Sequence, residues 1–246
     1  MHKSPQQRHD YLTTILLAVI IFTASVRLTA TEWTPDLDAI VPITFLSLLL
    51  GIILGASRFK KSIVIFLTLI CSLIILPIQI INISNKDSLL LRLVDASERL
   101  GATFVQLSNK QPVDDHLFFI SFLIFVFWIA GVYAGYVLLR YQNLIVALFP
   151  STLIILIVQY YDQTKEPSLW SIGFYFFLTL ILQVRLNYKE DEKRWKKKNV
   201  FVDSGIGLDL AIITLSTVTI IFLLAWSIPS SRTEWAAFSK WWQSAQ

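Results

Sequence analysis

The stretch LFFISFLIFVFWIAGVYAGYVLL, residues 117–139, carries no charged side chain, and it decides the class of this protein. A helix of about 20 apolar residues crosses the hydrocarbon core of a bilayer. Because lipid offers the backbone no hydrogen bonds, a spanning segment of this kind must be helical. Six other apolar stretches approach this length, at residues 11–26, 38–56, 62–82, 143–160, 169–186 and 206–228. The sequence therefore predicts an all-α membrane protein, a bundle of about seven transmembrane helices.

The composition of the 246 residues agrees with that class. Hydrophobic residues make up 55% and charged residues 15%, whereas an ordinary soluble domain has about 25% charged residues. We divide the chain into a cytoplasmic tail of residues 1–10, a membrane domain of residues 11–228 and an extracytoplasmic aromatic tail of residues 229–246. The loops are too short to fold as a separate catalytic domain.

The basic residues predict the orientation. With the N-terminus in the cytoplasm, thirteen of the 21 basic residues lie in cytoplasmic segments and eight on the opposite side. This asymmetry follows the positive-inside rule, and seven crossings then place the C-terminus outside. Lys3 and Arg8 before the first apolar stretch resemble a secretory signal, but no clear small-residue cleavage site precedes Glu32. We interpret the stretch as an uncleaved helix in which Arg27 reaches toward the headgroups.

The loop between the third and fourth spans, residues 87–108, has the pattern of an amphipathic helix. Its apolar side chains fall on one side of a helical projection and its charged ones on the other. We expect the apolar side to be buried against the bundle or in headgroups, with Arg92 and Arg99 exposed. Two interpretations stay open, a structural cap and a docking surface. The apolar side comprises Leu90, Leu93, Val94, Leu100, Phe104 and Leu107.

Two further segments contain clusters of basic or aromatic residues. The run KEDEKRWKKK, residues 189–198, fits a topology anchor or a site that recruits anionic lipid or a cytoplasmic partner. It lacks the large basic face and stacking aromatics that nucleic-acid binding requires, so no nucleic-acid partner is expected. In the tail, Trp235, Phe238, Trp241 and Trp242 gather on one helical face, which suits a membrane–water boundary. The tail could equally begin a larger structure.

The residues that would carry catalysis are sparse. Cys71 is the only cysteine and lies within a predicted span, where a thiol behaves as a small apolar side chain. His116 follows Asp114 and Asp115, which resembles a fragment of a metal site, although consecutive residues diverge on a helix. Hydrolase, protease and nucleotide-binding motifs are missing. We assign no catalytic, metal or cofactor residue and do not expect an enzyme.

Small and helix-breaking residues inside the spans favour packing over transport. Gly131 and Gly135 have the Gly-x-x-x-Gly spacing that lets two helices cross closely. Pro77 and Pro150 each remove a backbone donor and are expected to kink their helices. A carrier would need a polar cavity that reaches the middle of the bilayer, and the pattern predicts a tightly packed bundle instead.

Four stretches together resemble the N-terminal membrane region of bacterial transglutaminase-like membrane proteins. They are residues 31–61, 93–104, 114–162 and 207–231, which begin TEWTPDLDAI, LVDASERLGATF, DDHLFFISFL and GLDLAIITLS. The resemblance covers nearly the whole chain from Tyr11 to Ser231. In that family a helical bundle precedes an extracytoplasmic domain with a catalytic cysteine, histidine and aspartate. These 246 residues contain no such domain, so the chain resembles the membrane half alone, either as a separate protein or as part of a longer one. Cys71 cannot take the catalytic role because it lies in the membrane part.

The resemblance implies a non-catalytic anchor or assembly module in the bacterial cytoplasmic membrane. It would present, or pair with, an extracytoplasmic transglutaminase-like domain, so the expected partners are the lipid bilayer and that domain. The runner-up is a small membrane carrier or a lipid-handling protein. The residues expected to meet the partner lie on the outer face: Trp33, Leu93, Arg99, Phe104, Trp241 and Trp242.

Overall fold

The computed structural model describes residues 11–84, 86–113, 115–162, 169–198 and 206–227. All the regular structure in these ranges is helical, as predicted. A short 3-10 turn, Leu37–Ala39, leads into the second helix. The α-helices of the described ranges are α1 (Tyr11–Thr29), α2 (Ile40–Ala56), α3 (Lys61–Ile81), α4 (Leu89–Ser108), α5 (His116–Tyr141), α6 (Leu144–Tyr161), α7 (Leu169–Lys197) and α8 (Ile206–Ser227).

Five segments among the described residues are long and apolar enough to cross a bilayer, which makes this a helical membrane protein. They are Tyr11–Thr29, Leu37–Ala56, Lys61–Ile81, His116–Tyr141 and Leu144–Tyr161. The sequence predicts two more, which coincide with α7 and α8. Of these, α7 continues through the charged run to Lys197, and α8 contains the shorter apolar segment Ile212–Leu224.

The chain divides into two compact units, Met1–Tyr175 and Phe176–Gln246. The first contains α1 to α6 and the first turns of α7. In the second, the rings of Phe177 and Phe222 pack edge to face with centroids 5.7 Å apart, which joins α7 to α8. Further along α7, Arg194 pairs with Glu190 one turn earlier at 2.6 Å, on the exposed surface.

The centre of the first unit is a close crossing of α2 and α5. A Cβ atom on Gly135 would lie 2.7 Å from the amide nitrogen of Ile52, and one on Gly51 would meet the carbonyl of Val132. These contacts confirm the close crossing predicted from Gly131 and Gly135. The partner surface on α2 is also built from small residues four apart, Ser47, Gly51 and Gly55.

In the first unit, the helices α1, α2, α3, α5 and α6 alternate in direction, as polar contacts at both ends of this bundle indicate. At one end Arg27 of α1 pairs with Asp162 after α6, and Gln79 of α3 donates to the carbonyl of Ala39 at 3.0 Å. At the other end Arg140 of α5 donates to the carbonyl of Ser57 at 2.7 Å. We name these the Arg27 end and the Arg140 end. The segment that joins α1 to α2 and both termini of α4 belong to the Arg27 end.

The hydrophobic core lies between α1, α2, α5 and α6, close to the Arg27 end. Its members are Leu28, Leu37, Ile40, Ile43, Ile120, Ile124, Phe127, Trp128, Val132 and Val158. By contrast α3 is peripheral: among its residues, all of which the structure describes, Val64 alone is buried. The other face of α3 is apolar and exposed, as expected of a helix in contact with lipid. Cys71 is half-buried and packs against the core cluster.

Candidate functional site at the Arg27 end

A buried ion pair joins α1 to α6. Arg27 is only 2% exposed, and its Nη2 donates to the carboxylate of Asp162 and, at 3.1 Å, to Oε1 of Gln159. The prediction that Arg27 reaches toward the headgroups is therefore wrong, because a carboxylate is available at the end of α6. A charge removed from water must be paired, so loss of either member of this ion pair is costly.

The segment between α1 and α2 brings a carboxylate to the start of α5. Asp36 has a left-handed backbone, with φ of 62°, a conformation that aspartate tolerates better than most residues. Its Oδ2 lies 3.5 Å from Nε2 of His116, the first residue of α5. Trp33 in the same segment is half-buried and packs against the core cluster. This segment thus connects α1 and α2 to the start of α5 and to the core at the Arg27 end.

α4 is fixed to the bundle through its polar side. Ser88 caps its N-terminus by accepting from the amide of Leu91 at 3.2 Å. Asp95 accepts from the hydroxyl of Ser84 at 2.7 Å, just beyond the end of α3. Arg99 donates through Nε and Nη2 to the two oxygens of Asp115, both at 2.6 Å. A two-pronged bond of this kind sets orientation as well as adding energy.

Asp115 serves both helices that meet at this point. Besides accepting from Arg99 it accepts from the amide of Leu117 at 2.8 Å, and so caps the N-terminus of α5. The hydrogen bond from Arg99 is the main cause that lowers the pKa of Asp115 from 3.8 to about 2. The same bond raises the pKa of Arg99 above its ordinary value. The pair is therefore ionised throughout the physiological range.

The orientation of α4 differs from the prediction. Ala96 and Thr103 are buried, and Arg99 is half-buried in its ion pair. Leu90 and Phe104 are 72% and 74% exposed. The expectations that the apolar side packs against the bundle and that Arg92 and Arg99 are exposed are wrong, since both arginines are half-buried. The alternative, that the apolar side lies in headgroups, stays a prediction. Periodicity had separated the two sides of the helix, but the groups that bind its polar side, the carboxylate of Asp115 and the hydroxyl of Ser84, lie outside the helix.

The residues expected to meet a partner fall into three groups. Leu93 and Phe104 lie on the exposed apolar side of α4. Arg99 and Trp33 instead hold the structure together, one through Asp115 and the other through the core cluster. Trp241 and Trp242 lie outside the residues that the structure describes. Of the six residues, only Leu93 and Phe104 therefore share one exposed surface. Arg99 lies on the opposite side of α4 and fixes the orientation of that surface through Asp115.

The chemistry of the Arg27 end is that of ion pairs. Asp115 uses both oxygens on Arg99, and Asp36 faces His116. Among the described residues, no group of three or more histidine, cysteine, aspartate or glutamate side chains could hold a metal ion. Asp114, which with Asp115 and His116 resembles a fragment of a metal site in the sequence, lies outside the residues that the structure describes.

Two cavities of about 460 Å³ open on the sides of the first unit. One lies between α5 and α6 and has an apolar lining that includes Leu28, Trp33 and Pro150. The other lies between α1 and the first turns of α7, beside Phe22, Thr23 and Trp170. Both are at the surface of the helices, in contrast to the central polar cavity expected of a carrier.

Two features of the first unit were missed in the sequence. The first is the Arg27–Asp162 pair, whose signal is a pair of opposite charges at the same end of two spans. The second is the small-residue series Ser47, Gly51 and Gly55, which repeats every four residues and faces the glycines of α5. The first signal needs the pairing of helices to be known before it can be recognised. The second does not, because Gly51 and Gly55 have the same spacing as Gly131 and Gly135.

Comparisons of this chain with known protein families, curated proteins and solved structures give no match. The resemblance to transglutaminase-like membrane proteins therefore stays a prediction. What the chain does has to be argued from the geometry of the bundle and of α4.

Proposed function

We propose that this protein is a non-catalytic membrane anchor or assembly module that presents or partners an extracytoplasmic transglutaminase-like domain. One observation carries the proposal: α4 turns its polar side to the bundle and displays its apolar side. A helix that served only as a cap would bury its leucines. The displayed surface contains Leu89, Leu90, Leu93, Val94, Phe104, Val105 and Leu107.

The contacts behind that surface make it a rigid platform. Arg99 and Asp115 hold the middle of α4 against the start of α5, and Asp95 holds it to Ser84. Exposed apolar patches of this kind mark interaction sites with proteins or membranes. A surface that is ordered before binding loses less entropy when a partner docks.

The topology that goes with this function has seven spans, with α7 and α8 as the sixth and seventh. The Arg140 end includes Arg58, Lys60 and Lys61 and is the cytoplasmic end by the positive-inside rule. The Arg27 end and α4 then face the extracytoplasmic side of a bacterial inner membrane. The resemblance to the transglutaminase-like family supports a partner that carries its catalytic cysteine, histidine and aspartate on that side.

Photo-cross-linking in native membranes tests the proposal with a matched pair of phenylalanines. Phe104 on α4 is 74% exposed, and Phe59 at the Arg140 end is 47% exposed. Each is replaced in turn by benzoylphenylalanine, and captured proteins are identified by mass spectrometry. We expect Phe104 to capture a protein with a transglutaminase-like domain and Phe59 not to do so.

Leu93→Asp adds a second arm. Leu93 is about half exposed, so the substitution should abolish capture at Phe104 and leave the thermal stability of the protein unchanged. Capture from Phe59 alone would reject the proposal. Cross-links from Phe104 to lipid alone would reject docking there and place α4 against the bilayer.

A further inference from the structure

The cavity between α5 and α6, named the α5–α6 groove, opens on the side of the two helices. Leu28 and Trp33 line it toward the Arg27 end, and its walls come from residues 122–130 of α5 and 150–158 of α6. Most of the lining residues lie on the half of α5 that follows His116 and on the half of α6 that precedes Tyr161. Most of the groove is therefore in the half of the bundle that is nearer the Arg27 end.

The floor and the rim of the groove differ in exposure. Phe127, Ala130 and Val158 form the floor and are buried. Phe125 and Ile157 on the rim are 50% and 53% exposed. The rim is continuous with the outward surface of α5 and α6, two segments that are apolar and long enough to span the membrane. Whatever fills the groove must therefore enter from the hydrocarbon layer.

Physical chemistry restricts the occupant. Water needs polar partners and does not occupy a purely apolar space, and an empty groove would forfeit the dispersion contacts of its walls. Residues 150–158 cover about 12 Å along a helix at a rise of 1.5 Å per residue. One leaflet contributes about 15 Å of the hydrocarbon core. The groove is thus about as long as one leaflet is deep.

We propose that the α5–α6 groove is a binding site for one acyl chain of a bilayer phospholipid, taken from the leaflet at the Arg27 end. Phe127, Ala130 and Val158 contact the chain along its length. Trp33 lies at the end where the ester and headgroup emerge, a depth at which an indole has both apolar and polar neighbours. The site is independent of any partner that docks on α4.

The test uses the purified full chain in vesicles that contain a phosphatidylcholine with a diazirine on one acyl chain. After illumination, the labelled residues are mapped by mass spectrometry. We expect labelling at Phe125 and Ile157 to exceed several-fold that at Leu69 of α3, which is 56% exposed and does not line this groove. Uniform labelling of the three positions would overturn the proposal, because it describes ordinary contact with bulk lipid.

A matched pair of variants on α6 adds a second readout. Leu153 lines the groove and Leu156 does not, although they are 44% and 45% exposed. Leu153→Trp fills the groove from its open side and should reduce labelling at Phe125 to the level of Leu69, whereas Leu156→Trp should leave it high. Ile157→Trp repeats the first change, with Phe125 again as the readout, should Leu153→Trp fail to fold. Equal labelling at Phe125 in the groove-filling variants and in Leu156→Trp would overturn the site. Loss of labelling when a protein is added whose helix cross-links to Phe125 would also overturn it, because the groove would then bind a helix and not an acyl chain.

Discussion

Arg27 and Asp162 show how one buried charge pair can decide the packing of two helices. Both side chains are almost inaccessible to solvent, with side-chain exposures of 1% each. Removing one partner of a buried pair costs about 3–5 kcal/mol, whereas replacing both by apolar residues can be neutral or stabilising. The pair therefore contributes mainly by disfavouring misfolded arrangements in which α1 and α6 are apart and their charges are unpaired.

Arg27→Met should lower the stability of the protein by about 3–5 kcal/mol, since the buried carboxylate of Asp162 would lose its ion pair with Arg27. The double variant Arg27→Met with Asp162→Leu should recover most of that loss. Unfolding of the purified protein in mixed detergent measures both. If the double variant were as unstable as the single one, the loss of stability in Arg27→Met would not come from the buried carboxylate of Asp162.

Asp115→Asn separates the two roles of Asp115. Asparagine can still cap α5 at Leu117, but it cannot form the ionic bond with Arg99. We expect α5 to remain intact and α4 to loosen, which hydrogen exchange of the α4 amides would detect as faster exchange. Protection of α4 equal to that of the unchanged protein would contradict the role given to this ion pair.

The same pair predicts how α4 responds to acid. Its folded-state pKa of about 2 lies below the ordinary value of 3.8. The pair's contribution to stability is therefore complete above that ordinary value and is lost as the pH falls toward 2. Exchange of the α4 amides should show no change attributable to this pair between pH 5 and pH 8, a range above both values. Release of α4 near pH 6 that Asp115→Asn abolishes would contradict this assignment.

At the scale of elements, the α2–α5 crossing is the contact that the glycines make possible. Gly135→Ala should destabilise the protein, because its Cβ would lie 2.7 Å from the amide nitrogen of Ile52, a backbone atom that cannot move aside alone. Gly101→Ala on α4 is the matched control, since apart from its chain neighbours and the backbone of its own helix no atom lies within 4 Å of its Cβ position. There alanine should stabilise by about 0.5–1 kcal/mol. Thermal unfolding compares them, and equal effects would contradict the close crossing.

The elements show what a pattern of residues can and cannot predict. The spacing of Gly131 and Gly135 predicted a close crossing, since the requirement for small side chains is local to one helix. The sides of α4 were also separable, but which side meets the bundle depends on Asp115 and on Ser84, outside the helix. For the same reason the role of Arg27 could not be recognised without Asp162. Long-range polar partners, not helical periodicity, decide these orientations.

At the scale of the whole molecule, hydropathy predicted the class of protein, because the need to satisfy backbone hydrogen bonds in lipid leaves few alternatives. Five of the predicted spans are found as long apolar helices among the described residues. Their alternating directions place Arg27, His116 and α4 at one end. Arg140 lies at the other end, with the basic side chains of Arg58, Lys60 and Lys61. The proposed function requires the Arg27 end to face the extracytoplasmic space.

Labelling of single cysteines in intact cells tests that requirement most directly. Cys71→Ala removes the only native thiol, and cysteine is then introduced either at Ser97 on α4 or at Lys60 at the Arg140 end, both of which are exposed. A membrane-impermeant maleimide should label the protein with cysteine at position 97 in intact cells, and the one with cysteine at position 60 only after the membrane is opened. Labelling at position 60 but not at position 97 in intact cells would reverse the topology and contradict the account.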